Sequence, residues 1–227
     1  MFDPSKFTVA KARPIPLYLL LDTSGSMSDQ GKIDELNTAV RTMLAEFEKE
    51  QQRETRIDVS VISFGHNGVQ LELRNVAAAD ARASYRDLPA DGLTPMGGAL
   101  RMAKAMIEDK DETPSNAYRP TIVLVSDGEP NDEWEEAMEA FIGSGRSSKC
   151  DRMAMAIGAS AQRAPLELFL QGTENAVFDA SHAAGIHAFF KQVTMSISVR
   201  SRAANPNALP PAPPPPELPD NGGSLFF

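Results

Sequence analysis

The sequence predicts an α/β fold: a doubly wound, mostly parallel central sheet with one antiparallel edge strand and helices on both faces. Three observations carry this. Residues 15–22 and 121–126 are almost uninterrupted apolar runs, the pattern of strands covered on both sides. Segments with apolar residues at helical spacing lie between such runs, so strands and helices alternate along the chain. The link between the strand-like residues 57–64 and 69–73 is a short turn around His66-Asn67-Gly68, too short for a crossover, so that pair has to be antiparallel. With 227 residues and 42% hydrophobic content, the chain can bury one large core.

Taken in order, residues 1–14 are a lead-in without periodicity, and residues 15–22 are the first buried strand. Ile33, Leu36, Val40, Met43, Leu44 and Phe47 recur at helical spacing and predict a helix over 32–52. Residues 57–64 and 69–73 follow as strands, and residues 76–91 read as a loop with a short helical turn. Met96, Ala99, Leu100, Ala103, Met106 and Ile107 mark the next helix. Pro95 suits its first position and Thr94 its cap. Residues 121–126 are a second buried strand, and Trp134, Ala137, Met138 and Phe141 predict a helix over 132–143. A strand over 152–157, a short helix over 163–171, a short strand over 176–178 and a last long helix from Ile186 to Ile197 complete the pattern. The domain is expected to span 15–200. From 204 to 227 the composition turns proline-rich, including Pro213-Pro214-Pro215-Pro216, and predicts a polyproline-prone, flexible tail.

The bulk composition excludes several function classes. A net charge of −9 argues against a nucleic-acid surface, which needs a basic face. No apolar stretch approaches the ~20 residues that span a bilayer. Cys150 is the single cysteine, so no intrachain disulfide can form, and the start of the chain lacks the apolar core of a signal peptide. A cytoplasmic setting is the expectation.

The chemistry concentrates in three segments. Asp22-Thr23-Ser24-Gly25-Ser26 ends the first strand, Thr94 stands in Asp91-Gly92-Leu93-Thr94-Pro95, and Asp127 follows the second buried strand. In an open parallel sheet, ligands bind beyond the carboxyl ends of the strands, where the strand order reverses. Asp22 and Asp127 at two such ends, with Thr94 opening the intervening helix, can meet there. Carboxylates and hydroxyls without thiol or imidazole suit a hard cation, Mg²⁺ or Mn²⁺. Gly97, Gly98 and Gly128 are expected to leave room near the ion.

The pattern DTSGS … T … SDG resembles the metal-ion-dependent adhesion site (MIDAS) of von Willebrand factor type A domains, over about residues 13–200. The segments YLLLDTSGSM, GLTPMGGAL and TIVLVSDGEPND resemble the TerY-type branch of that family, which is associated with tellurium resistance. The resemblance implies that Ser24 and Ser26 bind the metal directly, Thr94 directly or through water, and Asp22 and Asp127 mostly through water. It implies a protein partner whose Asp or Glu carboxylate, or a phosphate in its place, completes the coordination. It also implies a bacterial signalling or stress-response setting, with a serine/threonine kinase and a PP2C-like phosphatase as partners.

Other readings of the same residues stand beside this one. Asp22, Ser24 and Ser26 alone also read as a strand ending in a capped turn, and Thr94 serves equally as a helix cap. The acidic residues Glu129, Asp132, Glu133, Glu135 and Glu136 read as a solvated helix face with favourable charge at a helix N-terminus rather than a second metal site. Met96, Met102, Met106, Met153 and Met155 read as core filling, and Cys150 as a passive thiol. An enzymatic alternative is a Mg²⁺-dependent phosphohydrolase with Asp22 as nucleophile. Against it, Ser24 stands where such enzymes carry a second acid, and no matching lysine or histidine is evident. A third reading, a subunit of an ATP-driven machine, would need the ATPase on another chain, since no GxxxxGK[ST] loop occurs.

Overall fold

The computed structural model describes residues 12–49, 55–159 and 161–208. A six-stranded sheet with the order β3-β2-β1-β4-β5-β6 forms its centre. The strands are β1 (Arg13–Thr23), β2 (Thr55–Gly65), β3 (Gly68–Ala77), β4 (Thr121–Ser126), β5 (Asp151–Ile157) and β6 (Phe178–Ala180). All neighbours are parallel except β2 and β3, so the antiparallel edge inferred from the short turn is present. The helices are α1 (Lys32–Lys49), α2 (Ala78–Ser84), α3 (Met96–Glu108), α4 (Trp134–Gly143), α5 (Ala164–Leu170) and α6 (Ala183–Arg202), with a 3-10 turn over Gly25–Gly31 before α1.

The two-sided burial of β1 follows from the alternation of its side chains. Ile15, Leu17, Leu19 and Leu21 face one core, shared with α1, α2 and α6. Tyr18 and Leu20 face the other, shared with α3, α4 and α5. The methionines at 96, 106, 153 and 155 are buried in these cores and Met102 packs against one of them.

Three boundaries differ from the sequence reading. The last strand is Phe178–Ala180 rather than 176–178, because its ladder to β5 pairs Met155 with Phe178 and Ile157 with Ala180. Asp179 interrupts the apolar run that would have marked it. Pro95 precedes α3 instead of opening it, with φ −79° and ψ 62°, and no side chain caps the helix from that position. Thr94 is therefore not the cap of α3. The third difference lies after α6. The stretch assigned to a flexible tail begins with a docked turn: Pro206 is buried and its carbonyl accepts from Arg200 Nε at 2.9 Å, while Asn207 Oδ1 accepts from Arg119 N at 2.7 Å. The Pro-rich run proper, residues 1–11 and the expected end of the first helix at 50–52 lie outside the described residues.

Candidate functional site

The strand order reverses between β1 and β4, and both site aspartates stand there. The ladder pairs Leu21 with Val125, so Asp22 lies beside Ser126 and Asp127 just beyond. Asp22 is fully buried. Its Oδ1 accepts from Ser24 N at 2.8 Å and its Oδ2 from the Ser126 hydroxyl. Burial pushes this carboxyl up to about 6, against the pull of the Ser126 and Ser24 bonds. An enclosed carboxylate raised in this way is stabilised by any positive charge brought close to it.

The hydroxyls continue the chain of contacts. Ser24 Oγ lies 3.1 Å from Ser26 Oγ, and Ser26 Oγ donates to Asp127 Oδ1 at 2.7 Å. Thr94 is only 8% exposed. Asn131 holds its backbone on both sides: Thr94 N donates to Asn131 Oδ1 at 3.0 Å, and the Thr94 carbonyl accepts from Asn131 N at 3.1 Å. The Thr94 loop is tied to the serine loop through Gly25 N to the Gly92 carbonyl (3.0 Å) and Asp91 N to the Thr23 carbonyl (2.9 Å). Gly65 lets the end of β2 lie against the serine loop, because a Cβ on it would stand 2.2 Å from the Thr23 carbonyl carbon, and a Cβ on Gly92 of the Thr94 loop would stand 2.9 Å from the Gly65 carbonyl oxygen.

All five residues singled out from the sequence therefore gather at one strand-end crevice. Their donors, two carboxylates and three hydroxyls, are of the kind a hard divalent cation takes. A Cβ on Gly128 would lie 3.8 Å from Ser26 Oγ and 3.9 Å from Thr94 Oγ1, so two hydroxyls border the same small gap. Among the described residues no three His, Cys, Asp or Glu side chains form a ligand set. A cation here has to draw on the hydroxyl oxygens, the donor set of a hard divalent ion.

Two expectations about the surroundings need correction. Gly97 and Gly98 make room for another element: a Cβ on Gly97 would stand 2.8 Å from the Glu133 carbonyl oxygen and one on Gly98 2.8 Å from Val69 Cγ2. Of the three glycines expected near the ion, Gly128 is the one whose nearest neighbours are the Ser26 and Thr94 hydroxyls. The acidic run is also divided. Glu135 and Glu136 occupy the first turn of α4, as expected of charge at a helix N-terminus. Asp132 turns to α3 and accepts from Gly97 N (2.9 Å) and Gly98 N (2.8 Å). It supplies the cap that was expected of Thr94.

Sequence reasoning missed Lys32 and Asn131, and read Asp132 as part of a solvated helix face. Lys32 Nζ donates to Asp127 Oδ2 at 2.6 Å and to the Ser26 carbonyl at 3.3 Å. Its signal was a lysine at the first position of a helix, where a cation opposes the helix dipole. Asn131 and Asp132 sit four and five residues past Asp127 and left no periodic trace.

The model of the von Willebrand factor type A domain matches residues 17–129. No curated protein matches the chain. Among solved structures the chain is similar to a von Willebrand factor type A protein from Catenulispora acidiphila, with a TM-score of 0.62 and 20% identity, covering 83% of this chain and 43% of that one. It is similar to proximal thread matrix protein 1 from the mussel byssus in a form with a zinc-occupied MIDAS motif (TM-score 0.63, 16% identity, 82% of this chain and 46% of that one). It is also similar to the pilus adhesin SpaC from Lactobacillus rhamnosus GG (TM-score 0.62, 17% identity, 85% of this chain and 31% of that one). The chain spans less than half the length of each of these proteins, and at such identities the likeness is one of fold. Among the described residues no helix is long and apolar enough to cross a membrane. With the reversal of strand order between Asp22 and Asp127 and the match over residues 17–129, the chain has a von Willebrand factor type A-like fold.

Proposed function

We propose that this domain is a divalent-cation-dependent protein-binding module, in which Asp22, Ser24, Ser26, Thr94 and Asp127 hold Mg²⁺ or Mn²⁺. The observation that carries the reading is the contact chain from Ser24 through Ser26 to Asp127, with the Thr94 hydroxyl across the same gap at Gly128. The zinc-occupied MIDAS motif of the mussel protein supports a divalent ion at a site of this kind. When bound, the cation supplies an electrophilic position that an Asp or Glu carboxylate, or a phosphate, of a partner completes. The chain's own residues do the rest. Ser126 and the Ser24 backbone fix the Asp22 carboxylate, Asn131 fixes the Thr94 loop, and Leu93, 71% exposed beside Thr94, offers an apolar contact at the rim.

The phosphohydrolase alternative fares worse, because Asp22 is fully buried and both its oxygens are engaged, a poor posture for an attacking nucleophile. The domain is accordingly read as non-catalytic. The tellurium-resistance setting and a kinase or PP2C-like phosphatase as partner rest on the sequence resemblance, and a cytoplasmic setting on the lone, buried Cys150.

Thermal melts and calorimetry with millimolar Mg²⁺ and Mn²⁺ test the site, since a ligand that binds only the folded state raises its stability. The ions should stabilise the wild type and leave Asp22→Ala and Ser24→Ala unchanged. Pull-downs with and without EDTA test the partner: binding should need the ion, and Thr94→Ala should weaken it. A wild type indifferent to both ions overturns the reading.

A further inference from the structure

Among the described residues, Lys32 is a cationic side chain in contact with the proposed ligands that the motif does not include. The chain is steered to place it there. Gln30 and Gly31 adopt positive φ values of 54° and 72°, turning out of the 3-10 turn so that α1 begins at Lys32. A non-glycine residue in that conformation is uncommon and strained. A lysine at a helix N-terminus is unfavourable in its own right. The contact that offsets both is Asp127, whose side chain is enclosed while that of Lys32 is 15% exposed.

This contact commits the second oxygen of Asp127. Oδ1 accepts from Ser26 and Oδ2 from Lys32, and the Ser26 carbonyl accepts from the same ammonium. A divalent ion drawing on Asp127 would face that ammonium across a single carboxylate, in a partly buried setting where like charges a few ångströms apart repel strongly. We propose that Lys32 and the divalent ion compete for Asp127. The lysine stabilises the ion-free crevice, it withdraws from Oδ2 when the ion binds, and it thereby sets the ion affinity. The inference rests on the reading of Asp22, Ser24, Ser26, Thr94 and Asp127 as the metal site, and it names how that site is regulated.

The test titrates Mn²⁺ alone, by calorimetry and by the paramagnetic resonance signal of the unbound ion, into wild type, Lys32→Met and Lys32→Arg. Lys32→Met should lower the Kd by about tenfold or more. It should also lower the melting temperature in EDTA, because Asp127 is left buried without its partner. Lys32→Arg, which keeps a cation, should stay within about threefold of wild type. A measurement on wild type alone guards against a variant that fails to fold: amine acylation of Lys32, read by peptide mass spectrometry, should be slow in EDTA and rise on Mn²⁺ saturation. An unchanged or higher Kd for folded Lys32→Met, or acylation of Lys32 indifferent to bound Mn²⁺, would overturn the competition while leaving the metal site standing. Failure of wild type and Lys32→Met alike to bind Mn²⁺ would overturn the metal site, and the competition with it.

Discussion

Replacing Asp132 by alanine should destabilise the domain without touching any proposed metal ligand. The first turn of α3 has backbone donors with no helical partner, and Asp132 satisfies those of Gly97 and Gly98 at 2.9 and 2.8 Å. Loss of a capping side chain costs about 1–2 kcal/mol. Gly97 is buried and packed under the Glu133 backbone, so water replaces the lost acceptor poorly, and a stranded donor adds about 1 kcal/mol or more. Arg101 lies 3.6 Å from the same carboxylate but is half exposed and contributes little. The sum is about 2–3 kcal/mol, which at about 2–4 °C per kcal/mol for a chain of this size lowers the melting temperature by about 5–10 °C. Asp132→Asn keeps one acceptor and should lose about half as much. Circular dichroism melts in EDTA measure this free of any ion effect. A fall of less than about 2 °C for Asp132→Ala would refute the assignment of Asp132 as the cap of α3.

Four further outcomes follow from buried polar groups away from the crevice. Arg200 is fully buried and donates to Thr121 Oγ1 (2.6 Å), the Arg119 carbonyl (2.5 Å) and the Pro206 carbonyl (2.9 Å), so Arg200→Met should cost about 3–5 kcal/mol in a urea titration. Truncation after Arg202, neutral if the tail were wholly free, should cost about 1–3 kcal/mol because the Pro206 and Asn207 acceptors are lost, whereas truncation after Ala208 keeps both. Burial raises the Asp151 carboxyl, with Arg200 opposing. The folded state then holds that proton more tightly than the unfolded one. The contribution favours the fold below the ordinary carboxylate pKa and is lost as pH rises through the folded value. Urea midpoints should show Asp151→Asn gaining on wild type between pH 4 and pH 7, and a constant difference would contradict the assignment. Burial also pushes the Cys150 thiol up to about 12, so a thiol reagent at pH 8 should label it only after denaturant is added, and prompt native labelling would contradict its enclosure.

Much of this molecule is written in local pattern. The apolar runs of β1 and β4 and the helical stripes of α1, α3 and α6 announce their elements, because the periods of strand and helix are imposed residue by residue on which side chains meet the core. The short turn at His66-Asn67-Gly68 dictates the antiparallel edge. The five candidate ligands are legible too, since Asp22 and Asp127 stand at strand ends and a parallel sheet brings such ends together. β6 was misplaced because a strand of only Phe178–Ala180 is shorter than any period that could mark it.

The assignments that failed concern partners, which no period records. Thr94 preceding Pro95 looks like a cap by sequence spacing. The chain instead caps α3 with Asp132, 34–35 residues away from the glycines it bonds, and leaves the Thr94 hydroxyl beside Gly128, 3.9 Å from where a Cβ there would stand. Lys32 and Asp127 are separated by 95 residues, and Arg200 and Pro206 look like a helix end and the start of a linker until the carbonyl is seen to accept from the guanidinium. The sequence alone determined which residues are apolar, where strands end in carboxylates and which oxygens are available to a cation. Tertiary structure decided which cation, cap or carbonyl each polar group meets, because a hydrogen bond is satisfied by whatever donor or acceptor the folded chain brings within about 3 Å, however far away it lies in sequence.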